Sequence, residues 1–147
     1  MISHLSLKTD IILIETMCSI DQAEGALRAS EKIKKPVWIG FSVDDFDGSK
    51  LRSGENLKDI VSILEKFTIE AVLINCSRPE VVTTAVEIVS SFNKKFGAYA
   101  NAFTKISSGF LEDAPTVDAL EERKDLNPEN YLKFVMEWVE LGASIVG

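Results

Sequence analysis

Histidine is all but absent from this sequence: one residue, His4, stands among 147. Ser-His and Cys-His catalysis need an imidazole beside the nucleophile, so both lose their support, and His4 reads as a solvated surface residue. Cysteine is nearly as scarce. Two residues, Cys18 and Cys76, are too few for a disulfide framework, and an isolated pair is ordinary in a reducing compartment. Basic residues form no cluster and the net charge is −7, which argues against nucleic acid or an anionic membrane surface as partner. No apolar run approaches the roughly 20 residues needed to span a bilayer. The N-terminus has no charged n-region, and Asp10 and Glu15 interrupt its only apolar run, so it does not read as a signal peptide. The expectation is a cytoplasmic protein.

What is present is a regular alternation. With 46% hydrophobic and 27% charged residues the chain can bury one core, and its length suits a single domain. Asp10 to Ile14 reads as a strand. Ser19 then offers an N-cap with Gln22 as its capping-box partner, and a helix carrying Ile20, Ala23, Leu27 and Ile33 runs to Pro36. Val37 to Val43 is a second strand, followed by a polar loop from Asp44 to Glu55 and a helical period from Leu57 to Phe67. Ala71 to Asn75 is the third strand. Ser77 and Glu80 form another capping box, opening a helix to about Lys94. Phe96 to Ala100 is the fourth strand, and a long loop from Asn101 to Leu126 leads to Asn127-Pro128, a cap followed by proline at its tolerated first position. Gly142 ends that helix, and Ala143 to Val146 is the fifth strand, at whose tip the sequence stops as though cut.

Near-continuous apolar strands alternating with amphipathic helices predict an α/β fold with a parallel sheet covered by helices. A doubly wound open sheet and part of an eight-stranded barrel both fit, since a whole barrel needs about 200 residues or more. In parallel sheets the chemistry gathers at the carboxyl ends of the strands. There the sequence sets Glu15-Thr16, then Ser42-Val43-Asp44-Asp45, then Asn75-Cys76-Ser77, then Tyr99-Ala100-Asn101. Each has a plainer reading. A lone Glu after a strand more often caps a backbone, a lone Cys is more often a small buried apolar residue, and Tyr99 and Asn101 could satisfy loop amides. Cys18 fits a first-turn packing residue better than a ligand.

The ordered set says more than its members. The strings DIILIETM, PVWIGFSVDDFDGSKLRSGE, EAVLINCSRPE, GAYANAF and DLNPENYLKFVMEWVELGASIVG resemble the homocysteine S-methyltransferase family in order and spacing over nearly the whole chain. The resemblance implies a partial (β/α)8 TIM barrel, its parallel strands corresponding to strands four to eight. Residues 1–147 would then be a single incomplete homocysteine-binding domain. The family's first three strands, with an Asp-Gly-Gly turn, and its terminal Gly-Cys-Cys motif have no counterpart in these strings.

Carried over residue by residue, Cys76 matches the family's first zinc ligand, and Glu15 matches the acidic residue that grips the substrate amino group. Thr16, Ser42, Asn75, Tyr99 and Asn101 match substrate-binding positions on the rim. Where the family usually has a proline two residues after this Thr, the chain has Cys18, which touches only the stiffness of the turn. The implied chemistry is methyl transfer from a sulfonium or ammonium donor, S-methylmethionine or S-adenosylmethionine ahead of betaine, to zinc-bound homocysteine, giving methionine. Three thiolates and an open position make a catalytic zinc site, and the metal holds the substrate sulfur as thiolate. No protein base is then required. The expectation for this chain alone is inactivity, with zinc weak or absent, and self-association into a homo-oligomer through exposed sheet edges. The alternative is a small doubly wound binding or regulatory domain without metal chemistry.

Overall fold

A computed structural model describes residues 8–104, 106, 118 and 120–147; His4 and much of the loop after the fourth strand lie outside them. The elements run in the expected order. Strand β1 is Ile12–Met17, followed by helix α1, Ile20–Ser30, and strand β2, Val37–Phe41. A 3₁₀ turn, Leu57–Ile60, passes into one α-helical turn, α2, Val61–Leu64. Strand β3 is Ala71–Asn75 and helix α3 is Pro79–Val89, extended by a 3₁₀ turn, Ser90–Phe92. Strand β4 is Lys95–Tyr99, helix α4 is Pro128–Glu140 and strand β5 is Ile145–Val146.

The five strands pair in sequence order, β1-β2-β3-β4-β5, and every pairing is parallel. A doubly wound sheet reverses its strand order at a switch point; this sheet has no reversal. Register follows from the apolar pattern. Val37, Ile39 and Phe41 alternate with Trp38 and Gly40, and the first set packs with Val72, Ile74 and Ala98 under the helices. Helices α1 and α3 close that side with Ala23, Leu27, Val82, Ala85, Val86 and Val89, all nearly inaccessible to solvent. Strand β3 is buried along its whole length, as the central strand of five should be.

The opposite face is concave. It carries Leu13 and Glu15 from β1, Gly40 from β2, Leu73 and Asn75 from β3, and Gly97 and Tyr99 from β4. Its curvature is visible in one contact: the Tyr99 hydroxyl donates to Glu15 Oε1 at 2.7 Å. In a flat sheet β1 and β4 would stand about 14 Å apart, three strand spacings, beyond the joint reach of these side chains.

Helix ends show where local signals prevailed. Ser19 Oγ accepts from the Gln22 amide as expected, but Gln22 Oε1 takes the amide of Cys18 rather than that of Ser19. Asn127 caps α4 by accepting from the Asn130 amide, with Pro128 at the first position. The capping box at Ser77 does not form. Arg78 is the N-cap of α3, without a side-chain cap bond, and the Ser77 hydroxyl is turned inward to the amide of Val43 at 2.9 Å. The helical period from Leu57 is half 3₁₀ turn and half α-helix and ends at Leu64, and β1 extends to Met17 through an irregularity after Ile14. No helix among the described residues is long and apolar enough to cross a membrane.

Candidate functional site

Two non-glycine residues at the carboxyl ends of β1 and β3 have left-handed backbones: Thr16, φ 61°, and Cys76, φ 54°. Such conformations persist in bulky residues only where the surroundings impose them. At Thr16 the cause is Asn75. Its Oδ1 accepts the Thr16 amide at 3.2 Å and its Nδ2 donates to the Thr16 hydroxyl at 2.9 Å. The pair sits at the break in β1–β2 register between Ile14 and Met17, so Glu15 and Thr16 lie inside the last part of β1 rather than beyond it.

Cys76 is exposed at the tip of β3. Its amide donates to the Tyr99 carbonyl at 3.3 Å, and its own carbonyl accepts from Arg52 Nη2 at 3.3 Å and from the Ser42 hydroxyl at 3.4 Å. The thiol is left free of these ties and faces solvent. Across the rim, Glu15 is exposed and held by Tyr99. Burial, then the bond to Glu15, pushes the Tyr99 phenol well above its ordinary value, so it stays a donor to that carboxylate. Cys18 is half-buried with its Sγ toward the Thr16 carbonyl at 3.4 Å. Burial raises its thiol, the nearby Arg52 opposes this, and Cys76 adds to it.

Glu15, Thr16, Asn75, Cys76 and Tyr99 therefore meet on one rim. Ser42 and Asn101 are placed differently. Ser42 is fully buried, its hydroxyl spent on the Cys76 carbonyl, Ser77 and Arg52. Asn101 Oδ1 accepts the Phe103 amide, closing its own turn, while its amide donates to the Ser77 carbonyl. Sequence reading placed Asp45 at the rim but missed Arg52, with which it is ion-paired at 3.2 Å beneath Cys76. It also missed Tyr131, whose hydroxyl accepts the Ala100 amide and donates to the Gly147 carbonyl. An arginine and an aspartate seven residues apart around a polar turn were the available signal.

Among the described residues, no group of three or more His, Cys, Asp or Glu side chains is placed to hold a metal ion. Cys76 supplies one exposed thiol, whereas a closed or catalytic zinc site takes at least three protein ligands. The residues present do not by themselves fit that ion. A cavity of about 590 Å³ lies at the far end of the sheet, lined by Leu27, Lys35, Pro36 and Phe67 among others. It opens near the start of β2, away from the strand tips and both thiols, and takes no part in the site.

Residues 3–147 match the sequence model of the homocysteine S-methyltransferase family. The chain belongs to that family. It is 30% identical over 142 residues to homocysteine S-methyltransferase 2 of Arabidopsis thaliana, a match covering 94% of this chain and 40% of that protein. It is 29% identical over 142 residues to the selenocysteine Se-methyltransferase of Brassica oleracea var. italica, covering 94% and 38%. The oxidized form of the homocysteine methyltransferase MmuM from Escherichia coli superposes with a TM-score of 0.71 at 19% identity, covering 97% of this chain and 41% of that one. Its metallated form gives 0.67 at 22%, with 97% and 41% covered. These structures speak to the fold, and they are TIM barrels that the five parallel strands match in part. The chain thus spans about two fifths of the length of the relatives it matches.

Proposed function

We propose that the five strands are strands four to eight of a (β/α)8 barrel, and that the full-length protein transfers a methyl group to homocysteine, giving methionine. The observation that supports this most is the rim itself. An exposed carboxylate, a strained Thr and an exposed thiol converge at the carboxyl ends of parallel strands, in a chain that matches the family over residues 3–147. In this reading Glu15, held by Tyr99, receives the substrate ammonium group. Thr16, fixed by Asn75, offers its backbone and hydroxyl beside it. Ser42 acts from below through Cys76, and Asn101 shapes the loop over the rim.

The transfer is a displacement. The homocysteine sulfur lone pair forms the new S–CH₃ bond as the bond from methyl to the positively charged donor atom breaks, and the donor leaves neutral. The thiol proton goes to solvent. Orientation along the line of attack governs such a step, so anchoring the amino end by a charge-assisted contact is the segment's contribution. Zinc, with Cys76 as one ligand, is proposed for the full-length protein only, where further thiolates would join it. The 147 residues alone are proposed to be inactive.

Full-length protein assayed with homocysteine should yield methionine from S-methylmethionine or S-adenosylmethionine, in preference to betaine. Methyl transfer to selenocysteine but not homocysteine would move the acceptor to the one named for the Brassica relative. Transfer to neither would refute the reading.

A further inference from the structure

We propose that Arg52 is a positioning residue for the Cys76 thiol, its guanidinium clamping the backbone of that residue in the left-handed conformation that turns the thiol to solvent. The proposal rests on the reading of Cys76 as the thiol of the site, and it concerns a residue outside that site's proposed substrate and metal contacts.

The clamp is built from both halves of Arg52. Its backbone amide donates to the Ser42 carbonyl at 3.1 Å, beside the antiparallel bridge between Val43 and Leu51, so the loop returns the arginine to the tip of β2. From there Nε donates to the Ser42 hydroxyl at 3.3 Å, while Nη2 donates to Asp45 Oδ1 at 3.2 Å and to the Cys76 carbonyl at 3.3 Å. The Arg52 and Asp45 side chains are 14% and 6% exposed, so the fork is set in the protein rather than in water. Asp45 is fixed in turn: its other oxygen accepts the Ile106 amide at 2.6 Å, and its carbonyl accepts from Arg78 at 3.3 Å.

The Cys76 carbonyl has two lone pairs, and both are used, one by Arg52 and one by Ser42. Its amide is held by Tyr99. A peptide pinned on both sides cannot relax to the negative φ that a cysteine prefers, which leaves the side chain as the only free part. Arginine is required because three acceptors on two residues and a carbonyl lie within one planar fork. A lysine keeps the charge but presents a single point.

The test separates geometry from charge. In the 147-residue chain, Cys76 should give the strong intraresidue Overhauser effect between amide and Cα protons that marks a positive φ. In Arg52→Lys that effect should fall to the level of the neighbouring strand residues, with the Val72 and Ile74 amide resonances unmoved. An undiminished effect in the folded variant, or a weak one in the unsubstituted chain, overturns the proposal. Should the variant not fold, the unsubstituted chain still decides. The Arg52 Nε proton should exchange slowly with water, and rapid exchange overturns the clamp.

In full-length protein, Arg52→Lys should lower kcat for methyl transfer about tenfold or more, as a displaced reacting group does, with KM for homocysteine nearly unchanged because Glu15 is untouched. An unchanged kcat counts against the proposal. Absence of methyl transfer in the unsubstituted protein counts instead against the proposed function, and the resonance measurements judge the clamp independently.

Discussion

Gly40 shows how little room the rim leaves. A Cβ added there would lie 2.9 Å from Asn75 Oδ1 and 3.5 Å from the Tyr99 hydroxyl. Asn75 cannot swing aside without surrendering both bonds to Thr16, and Tyr99 cannot without releasing Glu15. Gly40→Ala should therefore destabilise the fold by about 1–3 kcal/mol, the usual range for overpacking, read as a lower urea midpoint. An unchanged midpoint would mean that the Asn75 side chain yields freely. The tyrosines make a second prediction. Tyr99, by burial and then by its bond to Glu15, and Tyr131, by burial, both hold their protons more tightly in the folded chain. Their contribution to stability is then complete below the unfolded value of 10.0 and is lost as pH rises past it. Absorbance titration should place the midpoints of both tyrosines above that value while the fold persists, and midpoints at it would show the phenols to be free. Of the rim itself, Glu15, Asn75, Cys76 and Tyr99 were legible because strand tips can be found from apolar runs. The buried Ser42 reads the same way in sequence because its partners Cys76 and Ser77 lie 34 and 35 positions away, and Asn101 because nothing at a strand tip announces that its side chain closes a turn onto Phe103.

Element by element, legibility follows how local the determining contacts are. Strand β3 was readable to the residue because a central strand is buried along its length, and here four apolar residues run from Glu70 to the polar Asn75 that closes it. Strand β1 was read short: its final residues, Glu15 to Met17, are polar or bulged, and what keeps Thr16 in place comes from Asn75, 59 positions away. The Ser77 cap failed for the same reason, since Val43, 34 positions away, takes the hydroxyl. The short β5 depends on one glycine. A Cβ on Gly97 would lie 2.0 Å from the Ile145 carbonyl oxygen, and a backbone atom cannot be turned aside as a side chain can. Gly97→Ala should unpair β5 while leaving β1 to β3 intact. Hydrogen exchange should then accelerate at the Ser144 and Gly147 amides, which donate to Phe96 and Ala98, and not in β3. Retained protection at both amides would show that β5 is held by something other than this pairing.

At the scale of the molecule, β1 and β5 are the edges of the sheet among the described residues. Leu13 on β1 is 43% exposed and Val146 on β5 is 42% exposed, while Leu132, Met136 and Val139 make an apolar line along the outside of α4. Such edges and faces invite pairing with other chains. Sedimentation of the 147-residue chain should show association that grows with concentration, and a monomer persisting at high concentration would contradict it. The central assignment, a methyltransferase rim whose thiol is Cys76, is tested most directly by Cys76→Ala in the full-length protein, with bound zinc and methionine formation measured on the same sample. The substituted protein should lose both equimolar zinc and methyl transfer to homocysteine, while the unsubstituted protein keeps both. Full methyl transfer with equimolar zinc in Cys76→Ala would contradict it.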